Sequence, residues 1–199
     1  MKQLLLDIKP AAAPSLDNYV AGRNAEALAS LNAATQNGSH FIYIWGEKGC
    51  GKTHLLSACE AYGIRVVDDV HLHDNDAQIA LFNTYNQLKE NGEILIAAGL
   101  HAPNQMNLRD DLATRLAWGL VYQLHPLNDA EKALALKNHA KERGIKLPDE
   151  VIDYCLRYLR RDLPTLMATL DALDEWSLTA HKPVTVPMLK KLLQLDLGI

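Results

Sequence analysis

Through the first two-thirds of the chain, hydrophobic residues come in short runs separated by stretches with helical spacing. Phe41-Ile42-Tyr43-Ile44-Trp45 is β-branched and aromatic, the composition of a buried strand. Ile64-Arg65-Val66-Val67-Asp68-Asp69 runs apolar and ends in two acids. Ile94-Leu95-Ile96-Ala97-Ala98 follows the turn Asn91-Gly92, and Leu120-Val121-Tyr122-Gln123-Leu124 is closed by Pro126. Between these strands, Thr53–Glu60, Asp76–Glu90 and Leu112–Leu116 read as helices, with Gly63 a stop for the first. The second carries Ile79, Leu81, Phe82, Tyr85 and Leu88 at helical spacing. This alternation predicts a parallel sheet with right-handed crossovers and helices on both faces. A preceding helix is predicted over Ala25–Leu31, with Asn24 as N-cap and Ala25, Leu28, Ala29 and Leu31 on its packed face.

From Asn128 onward the period stays helical. Asn128 and Glu131 make a capping-box start for Ala130–Arg143, which Gly144 stops. Pro148 opens a second helix to about Arg160, Asp162 caps a third with Pro164 in its first turn, and Thr185 caps a fourth ending near Leu195. The predicted organisation is a peptide and linker over 1–14, an α/β domain over 15–127 and a small all-helical domain over 128–199.

The chemistry concentrates in Gly46-Glu47-Lys48-Gly49-Cys50-Gly51-Lys52-Thr53, which fits G-x-x-x-x-G-K-[ST] between a strand and a helix. Glycines let successive backbone N–H groups turn inward, and the helix N-terminus adds partial positive charge, so the segment reads as a phosphate-binding loop. Lys52 is expected to reach the β- and γ-phosphates of a nucleotide, and the Thr53 hydroxyl to ligate Mg²⁺. His54 opens the following helix at the same site. Asp68, at the C-terminal end of its strand, is expected to hold the Mg²⁺ shell through water from the second side, with Asp69 orienting water. Tyr19 and Val20 lie in a segment placed to wall the base. Cys50, beside Lys52 at a helix N-terminus, is expected to favour the thiolate. His71, His73, Asp74 and Asp76 invite a metal reading, but a solvated surface loop is the expectation.

Composition narrows the partners. The net charge of −4 and pI near 6.0 argue against nucleic acid as a strong direct ligand. Three cysteines form no C-x-x-C pair, which suits a reducing cytoplasm. No apolar run approaches a membrane span, and no signal peptide is expected. At the N-terminus, Gln3-Leu4-Leu5-Leu6-Asp7-Ile8 precedes the semi-extended Lys9-Pro10-Ala11-Ala12-Ala13-Pro14. Gln3, Leu4, Leu6 and Ile8 resemble the peptide with which bacterial replication proteins dock on the sliding clamp, the β subunit of DNA polymerase III.

Three stretches together resemble the AAA+ nucleotide-binding proteins and, within them, the DnaA-related family: Gly51-Lys52-Thr53-His54-Leu55-Leu56, Asp68-Asp69, and Arg115-Leu116-Ala117-Trp118-Gly119-Leu120. The resemblance implies a P-loop AAA+ sheet with a helical lid, a bound ADP or ATP with Mg²⁺, and Arg115 as an arginine finger acting in trans. An initiator core with a clamp-docking peptide and no DNA-reading domain is the layout of the family's regulatory inactivators. These activate a partner's ATPase rather than act as enzymes in their own right, and a weak intrinsic ATPase is compatible with that. With ADP bound they dock on the DNA-loaded clamp and stimulate hydrolysis of ATP on DnaA, preventing re-initiation; a homo-oligomer is compatible with this. The alternative is an autonomous AAA+ ATPase acting on DNA, such as a helicase loader or initiator; a third reading is an adaptor whose nucleotide is structural. The chain also departs from the family. The spacing from Lys52 to Asp68 is too short for the usual strand and helix, which leaves about four core strands with the strand ending at Val67 an exposed edge. Ala97-Ala98-Gly99 stands where a polar residue is expected, and Pro164 where a lid arginine is, with Arg160 and Arg161 just before it. No Glu accompanies Asp68.

Overall fold

The computed structural model describes residues 13–36, 41–159 and 162–196. The chain divides into two units, an α/β unit beginning at Pro14 and ending at Leu127, and a helical unit beginning at Asn128. The peptide Gln3–Ile8, Arg160 and Arg161 lie outside the described residues.

Among the described residues, four strands form one parallel sheet in the order β2-β3-β1-β4: β1 (Phe41–Trp45), β2 (Arg65–Val67), β3 (Leu95–Gly99) and β4 (Leu120–Gln123). β1 is central. Ile42 is in register with Ile96 on one side and Leu120 on the other. Because side chains alternate along a strand, each face draws every second residue. Ile42, Ile44, Ile96 and Ala98 face α1 (Ala25–Ala34) and α2 (Lys52–Glu60), burying Leu31, Leu55, Leu56 and Cys59. Tyr43, Leu95 and Ala97 face α3 (Asn75–Asn91) and α4 (Asp110–Ala117), burying Leu81, Tyr85, Leu112 and Leu116. Burial on both faces is why β1 and β3 read as unbroken apolar runs.

The sheet has the four strands expected, with β2 at one edge and β4 at the other. After β2 the chain turns at Asp69, which takes a left-handed conformation (φ 49°) that Asp tolerates better than most residues. The expected polar residue after β3 is missing for a packing reason. A Cβ at Gly99 would strike the Tyr43 hydroxyl, which donates to the His101 carbonyl at 3.0 Å.

Two expectations for α1 need correction. Asn24 holds the N-cap position, but its side chain makes no capping bond and is spent elsewhere, as described below. Ala25 and Ala29 are exposed, and the buried face is Ala27, Leu31 and Ala34 with Leu28 beside it. Alanine fits either face, so an alanine-rich helix fixes its rotation poorly from sequence.

In the helical unit, α5 (Asp129–Glu142), α6 (Asp149–Tyr158), α7 (Leu163–Ala180) and α8 (Val186–Asp196) enclose Leu136, Ile152, Cys155, Leu166, Leu170 and Leu189. The caps follow the sequence. Asn128 and Glu131 form both bonds of a capping box (2.8 and 2.7 Å), and Asp162 accepts from the Thr165 N–H at 3.0 Å. The Lys190 ammonium lies over the Tyr154 ring.

The rotation of α1 can be checked by mutation. Leu31→Ala should cost about 2–5 kcal/mol in chemical denaturation, whereas Ala29→Ser should stay within about 0.5 kcal/mol. A large loss at Ala29 would restore the face read from sequence.

Candidate functional site

The loop between β1 and α2 is built around two positions that admit no side chain. A Cβ at Gly46 would strike the Leu124 carbonyl oxygen, and one at Gly51 would lie 2.6 Å from Tyr19 Cε2. Gly51 also has φ 96°, a left-handed conformation that favours glycine. The loop is therefore clamped between the end of β4 and the Tyr19 ring. Glu47, Lys48 and Gly49 form its exposed tip, whereas Gly46, Cys50 and Lys52 are buried.

Lys52 extends into the loop, donating to the carbonyls of Gly46 (2.6 Å) and Glu47 (3.2 Å). The Thr53 hydroxyl donates to Asp68 Oδ2 at 2.7 Å, and Asp68 Oδ1 accepts from the Asp69 N–H at 2.8 Å. The first residues of α2 and the end of β2 thus meet, as expected from the positions of Thr53 and Asp68. An ammonium, a hydroxyl paired with a carboxylate, and a helix N-terminus converge on one exposed loop. These groups fit a nucleotide's phosphate chain with Mg²⁺, Thr53 and Asp68 being the residues that would hold the metal.

Cys50 corrects the thiolate expectation. It is buried, and desolvation pushes its thiol up from the ordinary value; the Lys52 ammonium, 3.8 Å from the sulfur, opposes this without reversing it. Cys59 and Cys155 are pushed up to about 11 by burial.

Tyr19 buttresses the loop. Its hydroxyl donates to the Cys50 carbonyl at 3.1 Å and accepts from Asn24 Nδ2 at 3.0 Å, and its ring lies 5.6 Å from that of His54. Desolvation raises its pKa. Val20 is half-buried next to it. His54 Nε2 is 3.0 Å from the Ser15 carbonyl oxygen, holding the incoming segment against α2.

Asn24 is the residue that the sequence misrepresents. Its amide donates to the His125 carbonyl (2.9 Å) and accepts from the His125 N–H (2.8 Å), while Arg23 donates to the Pro126 carbonyl (2.9 Å). Asn24, 3% exposed, thus joins the loop buttress to the segment leaving β4. An Asn before a helix is read as a cap by default, and nothing local separates that from a bridge to a residue 101 positions away.

His71 and His73 are half-buried around a 3₁₀ turn rather than on a solvated loop. Among the described residues, no group of three or more His, Cys, Asp and Glu could hold a metal.

Arg115 lies elsewhere. Asp111, four residues before it on α4, is held by Arg109 (2.9 and 3.2 Å), which lowers the carboxyl's pKa. The Asp110 side chain makes no ion pair among the described residues, and its carbonyl accepts from Thr114. Instead the Arg115 guanidinium lies over Trp118 (5.2 Å), Tyr85 (5.9 Å) and Phe82 (6.0 Å). Tyr85 stacks on Phe41, the first residue of β1, at 4.0 Å. The P-loop follows the last residue of β1, so a five-residue strand, roughly 15 Å long, separates Arg115 from it. A cleft of about 510 Å³, lined by Met106, Leu108, Ala113, Thr114, Ala117 and Trp118, opens beside α4 and includes no P-loop residue.

The four-stranded parallel sheet, the phosphate-loop motif and a strand end carrying paired acids make up an AAA+-type fold. Domain III of the replication initiation protein DnaA from Thermotoga maritima superposes with a TM-score of 0.70 at 21% identity, covering 94% of this chain and 98% of that one. AMPPCP-bound DnaA from Aquifex aeolicus gives 0.67 at 22% identity, over 83% and 66%. The Thermotoga maritima branch-migration motor RuvB gives 0.63 at 15%, over 92% and 72%. More particularly, residues 129–193 match the family model described as Hda, lid domain. The chain is thus similar in fold to DnaA domain III, and over residues 129–193 to the Hda lid. No helix among the described residues is long and apolar enough to cross a membrane.

Because the thiolate is the nucleophile, alkylation of Cys50 in the native protein should be slow near neutral pH and accelerate as pH rises above the ordinary thiol value. Rapid labelling at neutral pH, comparable to that of the denatured chain, would contradict a buried, protonated thiol.

Proposed function

We propose that the protein is a nucleotide-bound regulator of replication initiation, which docks on the DNA-loaded sliding clamp and stimulates hydrolysis of ATP bound to DnaA. The observation that carries this reading is the Hda-type lid on a chain with the fold of DnaA domain III. On this reading Gly46–Thr53 hold ADP or ATP, Tyr19 and Val20 flank the base, and Thr53 with Asp68 holds Mg²⁺. That ion would neutralise phosphate charge when bound. Lys52 supplies the fixed positive charge inside the loop. Without a Glu beside Asp68 or a polar residue at Gly99, little is present to activate water. Binding is thereby favoured over turnover, and the protein acts as an activator rather than an enzyme.

Arg115 is the group offered to DnaA. Its distance from the chain's own P-loop supports action in trans. Its guanidinium would stabilise charge developing on the partner's γ-phosphate, an effect on the order of 10³–10⁵ in rate for arginine fingers of GTPases. Gln3, Leu4, Leu6 and Ile8 dock on the β subunit of the clamp and bring the two proteins together. Such a protein works in the cytoplasm.

The test is clamp-dependent hydrolysis of DnaA-bound ATP. Arg115→Ala should fold, keep its own nucleotide and lose stimulation; Arg115→Lys should not rescue it, since lysine lacks the planar guanidinium. Gln3→Ala with Leu4→Ala should lose clamp binding at an unchanged melting temperature. Full stimulation by Arg115→Ala would exclude the finger, and ATP turnover by the protein alone that rises with single-stranded DNA would favour an autonomous ATPase.

A further inference from the structure

The surroundings of Arg115 carry more than its distance from the P-loop. Its guanidinium sits on three rings, Trp118, Tyr85 and Phe82. Trp118 also takes the Lys89 ammonium, 4.9 Å from its ring centre. Phe82, Tyr85 and Lys89 recur at helical spacing along α3, so one stripe of that helix faces the end of α4. No carboxylate pairs with Arg115 or Lys89 among the described residues, and the nearby Asp111 is taken by Arg109. Trp118 itself is 67% exposed, although an indole is a large apolar group.

An aromatic ring holds a guanidinium by its face and leaves its charge in place; the N–H donors lie in the plane, at the edge. A carboxylate would take those same donors and cancel the charge. Two cations against one indole also repel each other, and an anion arriving between them relieves that repulsion. Contacts of this kind hold an arginine without neutralising its charge.

We propose that Trp118 is a positioning residue for Arg115, and that Lys89 on the same indole is a second cation, the pair forming an anion-binding edge for the phosphate chain of a nucleotide held by another protein. This rests on the reading of Arg115 as a trans-acting group.

The test compares Trp118→Leu, which keeps apolar bulk without a ring, with Trp118→Phe, which keeps a ring. The full-length protein is used, with DNA-loaded clamp and ATP-bound DnaA. In the parent and in Trp118→Phe, the Arg115 side-chain N–H resonance should show the upfield ring-current shift of a stacked guanidinium. In Trp118→Leu that shift should shrink, and the maximal stimulated rate should fall roughly three- to tenfold, the scale of one exposed to partly desolvated cation–π contact. The half-saturating concentration should stay within about twofold, because positioning acts on the stimulated step rather than on docking. Lys89→Gln should lower the maximal rate in the same direction. If melting shows Trp118→Leu to be unfolded, Phe82→Leu replaces it as the ring deletion. Full stimulation by Trp118→Leu, with Arg115→Ala inactive, overturns the positioning role and leaves the finger standing. Full stimulation by Arg115→Ala as well removes both.

Discussion

Gly46 and Gly51 are the two glycines of the phosphate loop at which an atom beyond Cα meets a neighbour. One lies against the end of β4 and the other against Tyr19. A loop pinned from both sides can hold its carbonyls where Lys52 reaches them, and it can start α2 where Thr53 meets Asp68. The remaining architecture follows from keeping those contacts in place. β1 must be central so that its last residue delivers the loop, and β4 must end beside Gly46. The segment ahead of α1 must return to lay Tyr19 on Gly51.

Asn24 ties these requirements together. It bonds the Tyr19 hydroxyl with one donor and exchanges two hydrogen bonds with the backbone of His125. A buried amide with its partners satisfied on two separate segments is expensive to disturb, since loss of one partner leaves the others desolvated and unpaired. The segment ahead of α1, the phosphate loop and the exit from β4 therefore share one polar junction.

Much of this was legible in the sequence. The apolar runs of β1 and β3 announced a sheet buried on both sides. G-x-x-x-x-G-K-T announced the loop, and the short spacing from Lys52 to Asp68 announced an edge strand at β2. The capping box of α5 and the Asp162 cap of α7 were local signals, and local signals survive. What escaped was long-range or depended on balance. The Asn24 bridge needs a partner about a hundred residues away. The Cys50 thiol sits where burial and a neighbouring ammonium oppose each other, and sequence shows only the ammonium. Arg115 had acidic neighbours in sequence, yet Arg109 claims Asp111 and the rings of α3 come from another helix.

On the proposed reading the α/β unit holds a nucleotide through Lys52, away from Arg115. Nucleotide released on denaturing freshly purified protein, identified and counted by mass spectrometry, tests this most directly. The expected result is close to one adenine nucleotide per chain for the parent and almost none for a folded Lys52→Met variant. An empty parent protein, or equal nucleotide in both, would contradict the site described here.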